Sequence, residues 1–376
     1  MNCMTSKERM IAALTGAMPD RVPVCPDISN MIPSAMTGRP FWDVYLFRKP
    51  PLWKAYAAAL KHFGFDGWST GMPELRFKSD PKFDLRPSFV SKEKIVADYE
   101  VQTPRGPLSG GITFMRSDPP TNFDKPIKDL EQDLPKLRWL LDNIAGFTFD
   151  EYEQRREEFG DSAIVGLDVA LPGLHVWGDW FRHDQSVFAL YDTPDLVEEF
   201  RLLTHEFVMR LLDAIIEKRP DNINIQSSGG ITLQSPDIFR RLSLPTLKEI
   251  TRRAKEAGIP TLMHCCGKAR VLVSMCAGET DLSCLNPLEA PPLGDCDLSE
   301  VKKAHGGRLA LMGNLPTTTL MLNGRPDDVR RASREAIDAA APGGGFILST
   351  GDQCGRDTPQ ENLFAMIDEA RIYGAY

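Results

Sequence analysis

The chain has 376 residues, 42% apolar and 26% charged, with 44 Lys and Arg against 52 Asp and Glu and a formal charge of -8. These proportions are those of an ordinary water-soluble globular protein long enough to bury a large core. The mild acidity gives no basic footprint for nucleic acid or an anionic membrane surface, and no run approaches the roughly 18 apolar residues of a spanning helix.

The opening stretch MNCMTSKERMIAALTG reads as a capped amphipathic helix without a signal peptide's apolar segment, so the cytoplasm is the expected compartment. Beyond it, short β-prone runs alternate with helix-patterned stretches. The runs are VPVC (22–25), FDGW (65–68), IVGLDV (164–169), INIQ (223–226), TLMH (261–264), LSCLNPL (282–288), LALMG (309–313) and FILST (346–350). The clearest helical stretches span 192–219, 235–258 and 325–344, and Thr193-Pro194 makes a cap and first-turn pair for the first of them. Eight runs alternating with helices imply a parallel sheet, closed into an α/β (β/α)8 TIM barrel, with an open doubly wound sheet as the alternative because the first two runs are weak. Residues 97–116 break the alternation and predict a β-hairpin insertion on the rim. The whole of 72–150 reads as an elaborated loop on one domain spanning 1–376.

Six of the eight cysteines follow residue 264, which weights the chemistry to the C-terminal third. In a chain of this kind they are expected as thiols or metal ligands rather than a disulfide framework. The stretch TLMHCCGKAR poses the question directly. Alternation along a strand points His264 and Cys266 to one side and Cys265 to the other. Barrel enzymes build their sites at the C-terminal ends of strands. Cys354 follows FILST in the loop GDQC, and Glu289 follows CLNPL, so both stand at such ends. One imidazole and two thiolates form a borderline-soft set suited to Zn²⁺, with the fourth position left to a carboxylate, water or substrate. Cys284 is expected as a core thiol, and Cys276 and Cys296 as helix or loop residues.

The tail PGGGFILSTGDQCGRDTPQENLFAMIDEAR resembles the C-terminal motif of the uroporphyrinogen decarboxylase superfamily. The cysteine at 354, with the His264-x-Cys266 pair, is similar to the zinc-dependent corrinoid methyltransferase branch, which includes methylcobamide:coenzyme M methyltransferases and methoxyl O-demethylases. RMIAALTGAMPDRVPV, SPDIFRRLSLPTLKEITRRAKEAGIPTLMHCCG and LALMGNLPTTTLMLNGRPDDVR carry the resemblance along nearly the whole chain, though loosely over 30–160. It implies a TIM barrel with zinc on His264, Cys266 and Cys354, and Glu289 in the fourth zinc position until substrate displaces it. It also implies methyl transfer between a small donor or acceptor and a cobalamin. No DxHxxG-type corrinoid motif occurs in the chain, so the corrinoid is expected on a partner protein. The substrate stays open between a thiol and a methoxylated compound.

Candidate substrate or corrin contacts are Asp168 and Trp177 in LDVALPGLHVWGDWF, with Trp180 and Phe181 beside them, Gln226 ending the fourth run and Asn314 ending the seventh. Asp352 is a candidate partner for the metal ligands. Two alternatives stand beside the methyltransferase. One is a metal-independent decarboxylase, although CPDISNMIPSAMTGR replaces that enzyme's arginine-bearing RQAGR segment. The other is a non-catalytic scaffold stabilised by zinc.

Overall fold

A curled parallel sheet organises the chain. In this computed structural model, which describes residues 3–376 apart from the side chains of 175 and 176, it has seven strands. In spatial order they are Gly67–Gly71, Ala163–Ala170, Ile223–Gln226, Thr261–His264, Cys284–Asn286, Ala310–Leu315 and Phe346–Thr350. Spatial order equals chain order, as right-handed crossovers through intervening helices produce. The strands are apolar along most of their length because both sides are covered. In Ala163–Ala170 every residue but the last is buried.

The VPVC run does not form a full strand, yet it links the two edges of the sheet. Cys25 N–H donates to the Leu348 carbonyl at 2.9 Å, and Leu348 N–H to the Pro23 carbonyl at 2.9 Å. On the other side Asp66 N–H donates to the Val24 carbonyl at 2.8 Å. Pro23 has no N–H to offer, which limits the ladder here. The architecture is TIM-barrel-like.

A buried charge network reinforces this seam at the N-terminal end. Asp66, fully buried, accepts from Arg9 Nη1 at 2.7 Å, Arg21 Nη1 at 2.9 Å and Val24 N–H at 2.9 Å. Arg9 also grips Asp20 through Nε at 2.7 Å and Nη2 at 2.9 Å. The first helix, Ser6–Leu14, carries the expected capping box between Thr5 and Glu8.

Two expectations are corrected. Residues 94–101 and 108–115 do pair antiparallel, but they are the middle of a four-stranded sheet with Phe83–Ser91 and Thr121–Asp124 outside them. This sheet buries Ile95, Ala97 and Phe114 against Trp42. Thr193 precedes the long helix Pro194–Lys218 without capping it. Its hydroxyl donates instead to the Ala189 carbonyl of the preceding helix at 3.4 Å. No helix among the described residues is long and apolar enough to cross a membrane.

Candidate functional site

Strand register assembles the site. Gln226, His264 and Asn286 stand level in three adjacent strands, at the last residue of each. His264 Nδ1 lies 2.7 Å from Asn286 Oδ1. An amide oxygen only accepts, so Nδ1 carries a proton and Nε2 is the nitrogen that offers a lone pair to a metal when the ring is neutral. This is how a metal-binding imidazole is oriented. Nε2 faces Asp352, 3.7 Å from its Oδ1.

Ligand atoms of His264, Cys266 and Asp352 all lie within 4.8 Å of one another. Tetrahedral zinc with bonds of roughly 2.0–2.3 Å separates its ligand atoms by roughly 3.3–3.8 Å, so this trio needs little closure to fit. Imidazole, thiol and carboxylate together are a zinc donor set. Two backbone features hold the trio. Gly267 turns the chain after Cys266 at φ 83°, and a Cβ there would strike the Thr232 hydroxyl. Asp352 adopts φ 129°, a conformation that costs a non-glycine residue about 1–3 kcal/mol and persists mostly where function requires it.

Burial works to lower the His264 pKa. The Cys266 thiol and the Asp27 and Asp352 carboxylates outweigh it and push the imidazole up to about 9. The site thus has a surplus of negative charge that a cation, proton or metal, would neutralise.

Of the other two ligands expected, neither belongs to the 4.8 Å cluster. Cys354 is fully buried, its N–H donating to the Asp27 carbonyl at 2.8 Å and its thiol beside the Thr350 and Thr358 hydroxyls. Burial, then Asp27, pushes this thiol up to about 12. Glu289 accepts the Gly267 N–H through Oε2. Its carboxyl is raised, first by burial and also by Asp352, while Gly267 and His264 act to lower it. Both residues border the cluster electrostatically, and each is held by other partners. Cys265 is fully buried with its sulfur towards Gly230, away from the trio. Cys276 lies in the helix Arg270–Glu279, Cys284 in a core strand and Cys296 in a loop.

A cavity of about 370 Å³ opens over the cluster, with Asp27, Trp68, Thr70, Gln226, His264 and Asp352 among its walls. Asp168 stands behind it. Its Oδ1 accepts from Thr70 at 2.5 Å, Asn224 at 2.7 Å and Gln226 at 3.2 Å, which fixes the last as a wall group. Asn314 donates to the Leu288 carbonyl at 2.9 Å and lines a smaller neighbouring cavity of about 190 Å³ with Glu289.

Trp177 is a correction. It is 1% exposed and stacks on Phe200 with ring centroids 4.7 Å apart, so it packs the helix Leu174–Trp180 onto the long helix. Phe181 is buried in the same cluster, with Trp180 against it. Conversely, Asp27 was not singled out in the sequence, though it follows VPVC as the other site residues follow their strands.

Comparison with known proteins gives four findings. The family model of uroporphyrinogen decarboxylase (URO-D) matches residues 182–373, just over half of the chain. Methylcobamide:CoM methyltransferase MtbA of Methanosarcina mazei is 27% identical over 263 residues, covering 68% of this chain and 72% of that protein. Uroporphyrinogen decarboxylase of an Azoarcus species is 26% identical over 277 residues, covering 69% and 72%. Among solved structures, a methyltransferase from Methanosarcina mazei superposes with a TM-score of 0.68 at 21% identity, over 98% of this chain and 99% of that one, a likeness of fold.

Proposed function

The chain belongs to the uroporphyrinogen decarboxylase family, and we propose that it is a zinc-dependent methyltransferase. It would move a methyl group between a small substrate, a methoxylated compound or a thiol, and the cobalt of a corrinoid carried by a separate protein. The observation that carries this reading is the imidazole, thiol and carboxylate of His264, Cys266 and Asp352 within 4.8 Å at the C-terminal mouth of the barrel. Relatives named as methylcobamide:CoM methyltransferases support the same branch.

In this reading His264 and Cys266 hold the metal, Cys354 supplies a second sulfur by turning from its threonines, and Asp352 or Glu289 is the displaceable carboxylate. Bound zinc would supply positive charge to a substrate heteroatom, keeping a thiol ionised or stabilising a departing oxyanion. The residues of the chain do the rest. Asn286 orients the imidazole. Asp168 holds Thr70 and Gln226 at fixed positions on the cavity wall, where they can hydrogen-bond the substrate. The barrel interior excludes water from below. We place the whole of 1–376 in one domain, with 72–150 as an elaboration of the barrel rim, working in the cytoplasm where thiols stay reduced.

The decarboxylase reading draws support from relatives of that name. A substrate carrying several carboxylates calls for basic groups, and neither cavity near the cluster has a lysine or arginine in its wall. Zinc-loaded protein with free cobalamin and a methoxylated aromatic or a thiol tests the proposal. The absorbance change between cobalt(I) and methyl-cobalt(III) should require zinc. Release of CO2 from a porphyrinogen by metal-free protein, with no methyl transfer, would overturn it.

A further inference from the structure

We infer that the substrate of this site is uncharged, a neutral methyl ether or thiol, rather than an anion such as a sulfonated thiol or a carboxylated aromatic. The inference rests on the methyltransferase reading and narrows it. Among the described residues, the ionisable groups in the wall of the 370 Å³ cavity are Asp27, His264, Cys266 and Asp352. Asp168 lies just behind the wall, bonded to Thr70 and Gln226. The adjoining 190 Å³ cavity adds Glu289 and otherwise presents prolines, threonines, Leu293 and Asn314. Among the described residues, neither wall contains a lysine or an arginine. The nearest guanidinium acting on Asp168 is that of Arg155, and its Nη1 is turned to the Thr70 carbonyl and the Ser69 hydroxyl.

The charge count follows from those groups with Cys354 turned in as the second sulfur of the proposed site. A zinc dication set against two thiolates and one carboxylate leaves one net negative charge, with His264 neutral as a ligand. Asp27 adds to it when ionised. A sulfonate or carboxylate at the far end of a substrate would enter a pocket with negative charge and no countercharge in its wall, an arrangement that costs several-fold in affinity. An anion-binding site of this size would present a guanidinium or ammonium group. The wall offers instead the Trp68 ring and the neutral donors and acceptors Ser29, Asn30, Thr70, Gln226 and Gln353. These suit a single methoxylated ring with a hydroxyl substituent, and the cavity volume falls at the small end for a ligand pocket.

The test uses zinc-loaded full-length protein and titration calorimetry with a matched pair, 3-methoxybenzyl alcohol and 3-methoxybenzoate, plus 2-mercaptoethanesulfonate and a trimethylammonium probe. The neutral ether should bind at least about tenfold more tightly than either anion. Ser29→Lys places a cation at an exposed position on the cavity wall and should shift the ratio of affinities towards 3-methoxybenzoate over the neutral ether by about tenfold. Gln353→Lys serves as an independent second placement. Equal or tighter binding of either anion by the unaltered protein overturns the charge inference and leaves the methyltransferase reading intact. Tighter binding of the trimethylammonium probe than of the ether overturns the uncharged class. Failure of every probe to bind the zinc-loaded protein overturns the inference and the reading together.

Discussion

Replacing Asn286 by alanine isolates the contact that would prepare His264 as a metal ligand. Asn286 is fully buried, and its Oδ1 is 2.7 Å from His264 Nδ1. Removing the acceptor leaves a buried ring N–H without a partner, a loss of about 1–3 kcal/mol. It also frees the ring to rotate and to place its proton on Nε2. Partners of metal-bound imidazoles are worth about 10–100-fold in metal affinity, or about 1.4–2.7 kcal/mol, which agrees with the hydrogen-bond figure. Zinc affinity should therefore fall by about 10–100-fold in Asn286→Ala. Asn286→Asp keeps an acceptor at the same place and should hold affinity within a few-fold. Competition against a chromophoric chelator at neutral pH reads both, with circular dichroism to show that the fold is retained. The backbone carbonyl of 286 still accepts from Cys265 N–H in either variant, so the strand itself should persist. Zinc affinity within twofold of the unaltered protein in Asn286→Ala, or equal losses in both variants, would refute the reasoning.

Other outcomes follow from the same contacts. Asp66→Asn strips the charge from a fully buried carboxylate between Arg9 and Arg21 and should cost about 3–5 kcal/mol, lowering the Tm by roughly 4–6 °C in calorimetry. Asp20 is held near 2, first by the Arg9 side chain, with burial opposing and the Met4 and Arg21 N–H groups assisting. A depressed carboxylate stabilises the fold above its unfolded pKa, so about 2 kcal/mol should be lost as pH falls from about 4 through 2, and Asp20→Asn should remove that part of the acid transition. Cys354→Ala should lose most of the bound zinc by elemental analysis, whereas Cys265→Ala, altered on the opposite side of the strand end, should keep it.

Much of the barrel was legible because buried parallel strands are short apolar runs, and INIQ, TLMH and FILST coincide with observed strands residue for residue. His264 and Cys266 fall in one cluster, as the period of two suggests, although the strand itself ends at His264. Other features depend on tertiary partners and leave no local pattern. The four-stranded sheet needed pairing between segments whose outer strands are exposed, so Phe83–Ser91 carries no burial alternation to read. Trp177 looks like a pocket aromatic in sequence, and only the packing of Phe200 decides otherwise. Asp352 entered the ligand cluster ahead of Cys354 because backbone conformation, φ 129°, aims it at His264. Sequence spacing says nothing of that angle. Asp27 was available to the same strand-end rule that found Glu289. It was missed because the VPVC run is one of the two weak β patterns among the eight.

The most direct measurement is the zinc content per chain of purified protein beside that of the His264→Ala/Cys266→Ala double variant, both equilibrated at the same buffered zinc concentration. The account predicts about one zinc per chain in the first and nearly none in the second, because an imidazole and a thiolate are removed together from a three- or four-ligand site. Zinc retained in full by the double variant, or a metal-free protein that still transfers methyl groups to cobalamin, would contradict it.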